Sequence, residues 1–253
     1  MLEDVSRIAR EAGRIAGARF GGAFKRWEKA PGNPVCEIDL EVDAFLREQL
    51  GALDPQAGWL SEETVDASDR IERRRLWVVD PIDGTRDYVR GRPGWSVSVA
   101  LVEDRVPVIG VLDAPARGEH WTAQVGRGAW RNGEAIRVSG RSDLQGARIP
   151  ADSVPPFGQG LVTVAKPNSI ALRIAMVAAG EADLIATTKW GFEWDIAAAA
   201  LIASEAGARV TGALGQPLAF NTASGEAFGV LAATPGIHAA AAEMLRETAL
   251  SVL

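Results

Sequence analysis

Acidic residues and hydroxyls are the chemically useful stock of this chain. The run that gathers them most densely is Leu76-Trp77-Val78-Val79-Asp80-Pro81-Ile82-Asp83-Gly84-Thr85-Arg86-Asp87. Asp80 and Asp83 flank Pro81, whose fixed φ stiffens the turn. Gly84 lets the backbone come close to a ligand. Thr85 and the amides after it can open a helix, and a helix N-terminus attracts anions. Carboxylates beside an anion cradle are what a divalent metal and a phosphate need together. Glu62 and Glu63 follow a short apolar run, and Asp195 precedes an Ala-rich one. Asp39 and Asp43 lie one helical turn apart, where like charges repel by roughly a few tenths of a kcal/mol unless a cation relieves them. All these donors are hard oxygens, which suit Mg²⁺. Taken singly, Glu62, Asp80, Asp83 and Asp195 each have an ordinary structural reading, such as a solvated loop or, for Asp195, a helix N-cap. The set is harder to dismiss than its members.

The elements that must position these residues come from a chain of 253 residues, 47% hydrophobic, with net charge −6. That length fits one large domain or two intimately packed halves. The acidic balance argues against a nucleic-acid polymer as partner. No apolar run approaches the roughly 18 residues of a membrane span, so no integral membrane segment is expected. The acidic start, Met1-Leu2-Glu3-Asp4, shows no secretory signal, and the expected location is the cytoplasm. The single cysteine, Cys36, excludes an internal disulfide and a cysteine cage for metal. A Ser-His-Asp triad would have to be built from His120 or His238, and neither lies near a recognisable nucleophile motif.

Residues 2–19 read as an amphipathic helix with Val5, Ile8, Ala12 and Ile15 on one face, stopped by Gly21-Gly22. Lys25 to Pro34 reads as a basic, exposed loop. Residues 35–50 form a second helix with Leu40, Phe45, Leu46 and Leu50 toward a core. Gly58 to Leu60 is a short strand, 66–75 a charged, exposed stretch, and Leu76 to Val79 a buried strand. From Trp95 to Ser139 alternation and turn signals, including Asn132-Gly133, predict an antiparallel β-meander. Residues 140–160 mark a boundary between halves. Beyond it, strands at 160–164 and 183–186, helices at 169–180 and 196–206, strands at 208–211 and 228–233 and a helix at 236–250 predict an α/β half.

Three blocks in this order resemble the inositol monophosphatase superfamily of Mg²⁺-dependent, lithium-sensitive phosphomonoesterases: Ser61-Glu62-Glu63, then Trp77 to Thr85, then Glu193-Trp194-Asp195-Ile196-Ala197-Ala198. Pro34 to Asp39, Gly126 to Gly133 and Glu205 to Ala208 support it, so the resemblance spans nearly the whole chain. It implies an α+β fold, a layered α-β-α-β-α sandwich. Residues 1–145 would form the N-terminal half with the meander and the acidic turn, and 146–253 the α/β C-terminal half. It implies two or three Mg²⁺ per site, a homodimer and a small phosphorylated metabolite as substrate. Glu62, Asp80 and the Ile82 carbonyl would hold one metal; Asp80, Asp83 and Asp195 would hold a second. Asp83, Gly84 and Thr85 would meet the phosphate, and Thr85 with Asp39 and Glu62 would prepare the attacking water. Cys36 stands where relatives usually carry Thr.

Inositol-specific members place a glutamate seven positions before the Trp-Asp aspartate, and here that position is Thr188. The Glu193 block and Gln216 to Asn221 look more like the 3′(2′),5′-bisphosphate nucleotidases, the CysQ group. The expected substrate is therefore adenosine 3′,5′-bisphosphate, with inositol 1-phosphate and histidinol phosphate as alternatives. Thr188, Lys189, Lys166 and Glu193 are the expected substrate contacts, with Lys166, Lys189, Arg86 or Arg90 for a second phosphate. Trp190 is read as a core or rim residue ahead of an adenine platform. The acidic turn also fits the haloacid-dehalogenase phosphatases, where the first aspartate is a nucleophile, although those carry the motif near the N-terminus. From another class, a catalytically silent metal-binding module has the same residues.

Overall fold

The structure, a computed structural model, describes residues 1–30 and 33–252. Helix α1 (Leu2–Arg19) buries Val5, Ile8, Ala12 and Ala16, one face at helical spacing. The expected basic loop is instead a hairpin of β1 (Arg26–Ala30) and β2 (Asn33–Cys36). Pro31 and Gly32 of that expectation lie outside the described residues. Because Val35 and Cys36 belong to β2, helix α2 (Glu37–Leu53) starts later than its apolar pattern indicates. Ile38, Val42, Leu46 and Leu50 set its buried phase, four residues apart. Leu40 falls off that phase and is 43% exposed, not in the core as expected.

Next come β3 (Gly58–Ser61), a 3-10 turn at Ser68–Glu72, β4 (Arg75–Asp83) and the short helix α3 (Thr85–Val89). The meander follows: β5 (Ser96–Glu103), β6 (Val106–Ala114), β7 (Glu119–Gln124), β8 (Gly128–Arg131) and β9 (Glu134–Ala135). Asn132 and Gly133 take positive φ, the turn their types predict. Strands β3 to β9 form one seven-stranded sheet in sequence order, antiparallel except for the β3–β4 pair. Residues 136–138, expected to close the run, lie past β9.

The rest comprises β10 (Arg148–Pro150), β11 (Val162–Val164), α4 (Ile170–Ala178), β12 (Leu184–Phe192), α5 (Glu193–Glu205), β13 (Arg209–Thr211), β14 (Glu226–Ala233) and α6 (Pro235–Leu250). β10 and β11 pair in parallel. The main sheet of this half is antiparallel, a difference from the α/β expectation. β12 and β13 run the same way, joined through α5, but β14 inserts between them in the opposite sense.

The layers stack as α-β-α-β-α. On one face of the large sheet, Trp77, Val79, Val99 and Val111 pack with α1 and α2. On the other, Leu76, Val78, Ala100 and Leu112 pack with α4 and α5, and Ala232 joins the same cluster from the small sheet. The outer face of the small sheet, with Leu184, Leu231 and Ala233, packs against Ile237, Ala241 and Leu245 of α6. Burial on both faces explains the unbroken apolar run of β4. Helix α5 lies between two sheets, so it is apolar all round. It approaches β6 closely: a Cβ on Gly110 would lie 2.6 Å from the Ala198 carbonyl. The charged stretch 66–75 holds one exception to its expected exposure. Arg70 is 1% exposed and bonds Asp66, the Asn221 side chain at 2.8 Å and the Thr222 carbonyl at 3.0 Å.

Candidate metal centre and active site

In a regular strand, residues three apart point to opposite faces. Asp80 and Asp83 escape this because β4 bulges between them. Asp80 pairs with Ser98 and Asp83 with Ser96, three steps against two. Pro81 sits in the bulge, where its missing N–H costs no ladder bond. The Ile82 amide donates to Asp80 Oδ1 at 3.0 Å and fixes that carboxylate. Gly84 then takes φ 95°. A Cβ there would lie 2.7 Å from the Gly94 carbonyl and 2.9 Å from the Ser169 amide, so the turn requires glycine.

Asp83 reaches across to α4. It accepts the Ser169 hydroxyl at 2.5 Å and the amides of Ala171 and Ile170 at 2.8 and 3.3 Å. Asp195 is the third residue of α5, and its Oδ2 accepts the Phe192 amide at 2.9 Å, which aims the carboxylate. Carboxylate oxygens of Asp80, Asp83 and Asp195 lie within 4.8 Å of one another. Glu62, just past β3, lines the same pocket of about 430 Å³. Glu62 and Glu63 are not a free solvent loop. Lys29 of the β1–β2 hairpin donates to Glu63 at 2.5 Å and lies 3.6 Å from Glu62. The same contacts remove Lys29 from the solvated loop expected there.

Beside the cluster, Thr85 Oγ1 lies 3.0 Å from the Ile82 carbonyl and 3.2 Å from Asp39 Oδ1. Asp39 Oδ2 accepts the Cys36 amide at 2.9 Å and its thiol at 2.8 Å, so cysteine serves this position as a donor. Asp43 is held by hydroxyls: those of Ser61 and Thr64 donate to it at 2.5 and 2.6 Å.

Crowding shows in the acidities. Burial first, then Glu62, Asp83 and Asp195, hold Asp80 well above the usual carboxylate range. Burial, with Asp83 adding to it, pushes Asp195 up to about 8. Burial raises Asp39 to about 6 against the donors from Cys36. Glu62 and Asp83 are raised by burial as well. Four converging, desolvated carboxylates are an unfavourable cluster without a cation among them. A ring of hard oxygens fits a hard divalent ion; the carboxylates of Asp80, Asp83 and Asp195 stand close enough together to hold one, and Glu62 lines the same pocket.

A family model described as the inositol monophosphatase family matches residues 1–251. The chain belongs to the inositol monophosphatase family. It is therefore a phosphatase, a phosphoric monoester hydrolase of a metal-dependent family, and the covalent-aspartate and silent-module readings fall away. Its layered fold is shared with the IMPase of Thermotoga maritima: TM-score 0.86 at 29% identity, covering 100% of this chain and 99% of that one. The histidinol-phosphatase of Mycobacterium tuberculosis is 34% identical over 221 residues, 81% of this chain and 84% of the relative. The 3′(2′),5′-bisphosphate nucleotidase CysQ of Aggregatibacter actinomycetemcomitans is 31% identical over 239 residues, 87% of each. The names of these three agree on a phosphatase and differ in substrate.

Of the expected substrate contacts, Lys189 lines the pocket. Thr188 does not: its neighbour Thr187 lines the pocket, and strand alternation turns the next side chain the other way. Glu193 is fully buried and corrects that expectation. Its carboxylate accepts the amides of Asn221 and Thr222 at 2.6 and 2.8 Å and the Thr222 hydroxyl at 2.5 Å. Lys166 pairs with Asp152 in a neighbouring cleft. Trp190 is a rim residue, 57% exposed. Ser169, Arg173 and Asn168 also surround the pocket or its carboxylates. Only Ser169 carried a sequence signal, as an N-cap before an apolar run.

His120 does sit between Ser6 and Asp113, 2.7 Å from each. Ser6 lies inside α1 and not on a strand-to-helix turn of the kind that presents a nucleophilic serine.

Proposed function

We propose that this chain hydrolyses the 3′-phosphate of a 3′,5′-bisphosphate nucleotide, adenosine 3′,5′-bisphosphate giving AMP. The observation that carries this reading is what lines the pocket beside the carboxylates. It presents the exposed ring of Trp190 with the cations Lys189, Arg86 and Arg173. Among the described residues, the pocket's carboxylates are Glu62, Asp80, Asp83 and Asp195 alone. A flat base has a ring to stack on, and the negative charge of a nucleotide bisphosphate enters a pocket that carries cations beside its carboxylates. Histidinol carries an ammonium, and inositol a ring of hydroxyls. Neither finds a carboxylate there beyond the four in the cluster.

Mg²⁺ is the ion of this proposal, and when bound it supplies Lewis acidity to the phosphate and lowers the pKa of water. Glu62, Asp80 and the Ile82 carbonyl would hold one ion, and Asp80, Asp83 and Asp195 would hold a second. The amides of Gly84 and Thr85 meet the phosphate oxygens. Thr85 Oγ1 orients the attacking water, and Asp39 takes up its proton through the Thr85 hydroxyl. Phosphoryl transfer asks little beyond such positioning and charge stabilisation. Lithium inhibition, a homodimer and a cytoplasmic location accompany the proposal as expectations of the family.

The test compares kcat/KM for adenosine 3′,5′-bisphosphate, inositol 1-phosphate and histidinol phosphate in Mg²⁺, with and without lithium. The bisphosphate is expected to lead. Preference for either competitor would sink this choice of substrate while leaving the phosphatase assignment in place.

A further inference from the structure

A second cleft, of about 790 Å³, opens beside the metal pocket, and Arg86 and Asn168 line both. Its basic side chains outnumber its acidic ones, and the acidic ones are occupied. Asp152 pairs with Lys166, Glu181 pairs with Arg131, and Asp87 accepts the Asn168 amide at 3.1 Å. Arg117 pairs with Glu119. That leaves Arg90 and Arg92, both exposed and without a carboxylate partner among the described residues. They flank Gly91 on a tight turn whose amides, those of Arg90 and Arg92, donate to the Asp87 carbonyl at 3.2 and 2.8 Å. The turn follows α3 directly, and α3 begins at Thr85 beside the carboxylate cluster. Five residues of helix span about 7.5 Å at 1.5 Å each. Two phosphates on one ribose are a few covalent bonds apart, so a second phosphate falls within that reach.

We infer that this cleft is the subsite for the phosphate that is not cleaved, with Arg90 and Arg92 setting the preference for a bisphosphate over a monophosphate. The inference rests on the bisphosphate reading above and assigns the two ends of the nucleotide to opposite sides. The base lies toward Trp190 and Lys189, and the second phosphate lies toward Arg90 and Arg92. Guanidinium groups suit a phosphate dianion because they bind it through paired N–H donors.

The experiment measures kcat/KM for adenosine 3′,5′-bisphosphate and for adenosine 3′-monophosphate at saturating Mg²⁺. It uses the wild type, an Arg90→Ala/Arg92→Ala double variant and Lys189→Ala. The double variant is expected to lower the bisphosphate-to-monophosphate ratio about 10- to 100-fold, through KM, as two charge-assisted contacts would. Added salt should erode the wild-type ratio in the same direction. A double variant that keeps the wild-type ratio overturns the subsite, as does an equal loss on both substrates. A larger fall of the ratio in Lys189→Ala places the phosphate on the other wall and also overturns it. A wild type indifferent to the second phosphate refutes the bisphosphate reading itself, and the subsite with it. That result is read before any variant is made.

Discussion

Ser169 donates its hydroxyl to Asp83 at 2.5 Å while the same oxygen accepts the Leu172 amide at 2.9 Å. One side chain thus caps α4 and locks a metal-binding candidate to it. Asp83 is tied to the scaffold through Oδ2, and an Asn would keep an acceptor oxygen for those donors. Asp83→Asn is expected to reduce kcat by at least about a thousandfold, since it removes a charged donor from the centre. Its unfolding free energy should stay within about 2 kcal/mol of wild type, because the variant also relieves like-charge repulsion. Near-normal turnover in this variant contradicts the proposed centre.

Glu193 offers a sharper contrast between two roles. Its buried carboxylate binds the loop at Asn221 and Thr222, and Arg70 binds the same loop from the other side. Glu193→Ala is expected to cost about 3 kcal/mol of stability, the penalty for stranding buried donors. It should lower kcat by loosening the start of α5, and with it Asp195, while leaving the ranking of substrates unchanged. A changed ranking at unchanged stability would restore Glu193 as a substrate contact.

The carboxylate cluster makes stability depend on pH and metal together. In the unfolded chain aspartates ionise near 3.9, whereas folded Asp39 and Asp195 are held at about 6 and about 8. Between about pH 4 and pH 8 the metal-free folded chain therefore binds more protons than the unfolded one. Its stability falls as pH rises through that window. A divalent ion binds the ionised donors, so the gap in Tm between Mg²⁺ and EDTA samples is expected to widen from pH 5 to pH 8. A gap that narrows or stays flat would argue against these residues as the ion's ligands.

Cys36 gives a simple check on the packing under Asp39. Burial first, then the Asp39 charge, pushes its thiol up to about 12. At pH 7.5 the folded protein is expected to resist iodoacetamide and to alkylate fully only in denaturant, as mass spectrometry would read. Rapid labelling of the native protein would mean that the β2–α2 junction opens.

Much of this was legible from local pattern. The apolar run of β4, the alternation of β5 and β6, and the helical phase of α1 each follow from periodicity. The spaced acidic motifs pointed to one site because the family resemblance joined them. What stayed hidden depends on long-range pairing. Arg70 meets Asn221 across 151 residues, and nothing in a charged stretch announces that one of its arginines is buried. The β1–β2 hairpin was masked by polar residues and a Pro-Gly pair. The bulge that turns Asp80 and Asp83 the same way is a register shift against β5, and a register is a property of two strands. Glu193 and Asp195 are two residues apart, and only the packing of α5 decides which faces the pocket.

The four carboxylates reach the pocket from the end of β3, the end of β4 and the start of α5. During synthesis Glu62, Asp80 and Asp83 emerge well before Asp195. The last of them arrives only when α5 has docked between the two sheets. A centre that needs all four is therefore a product of the assembled layers and not of the β3–β4 pair alone.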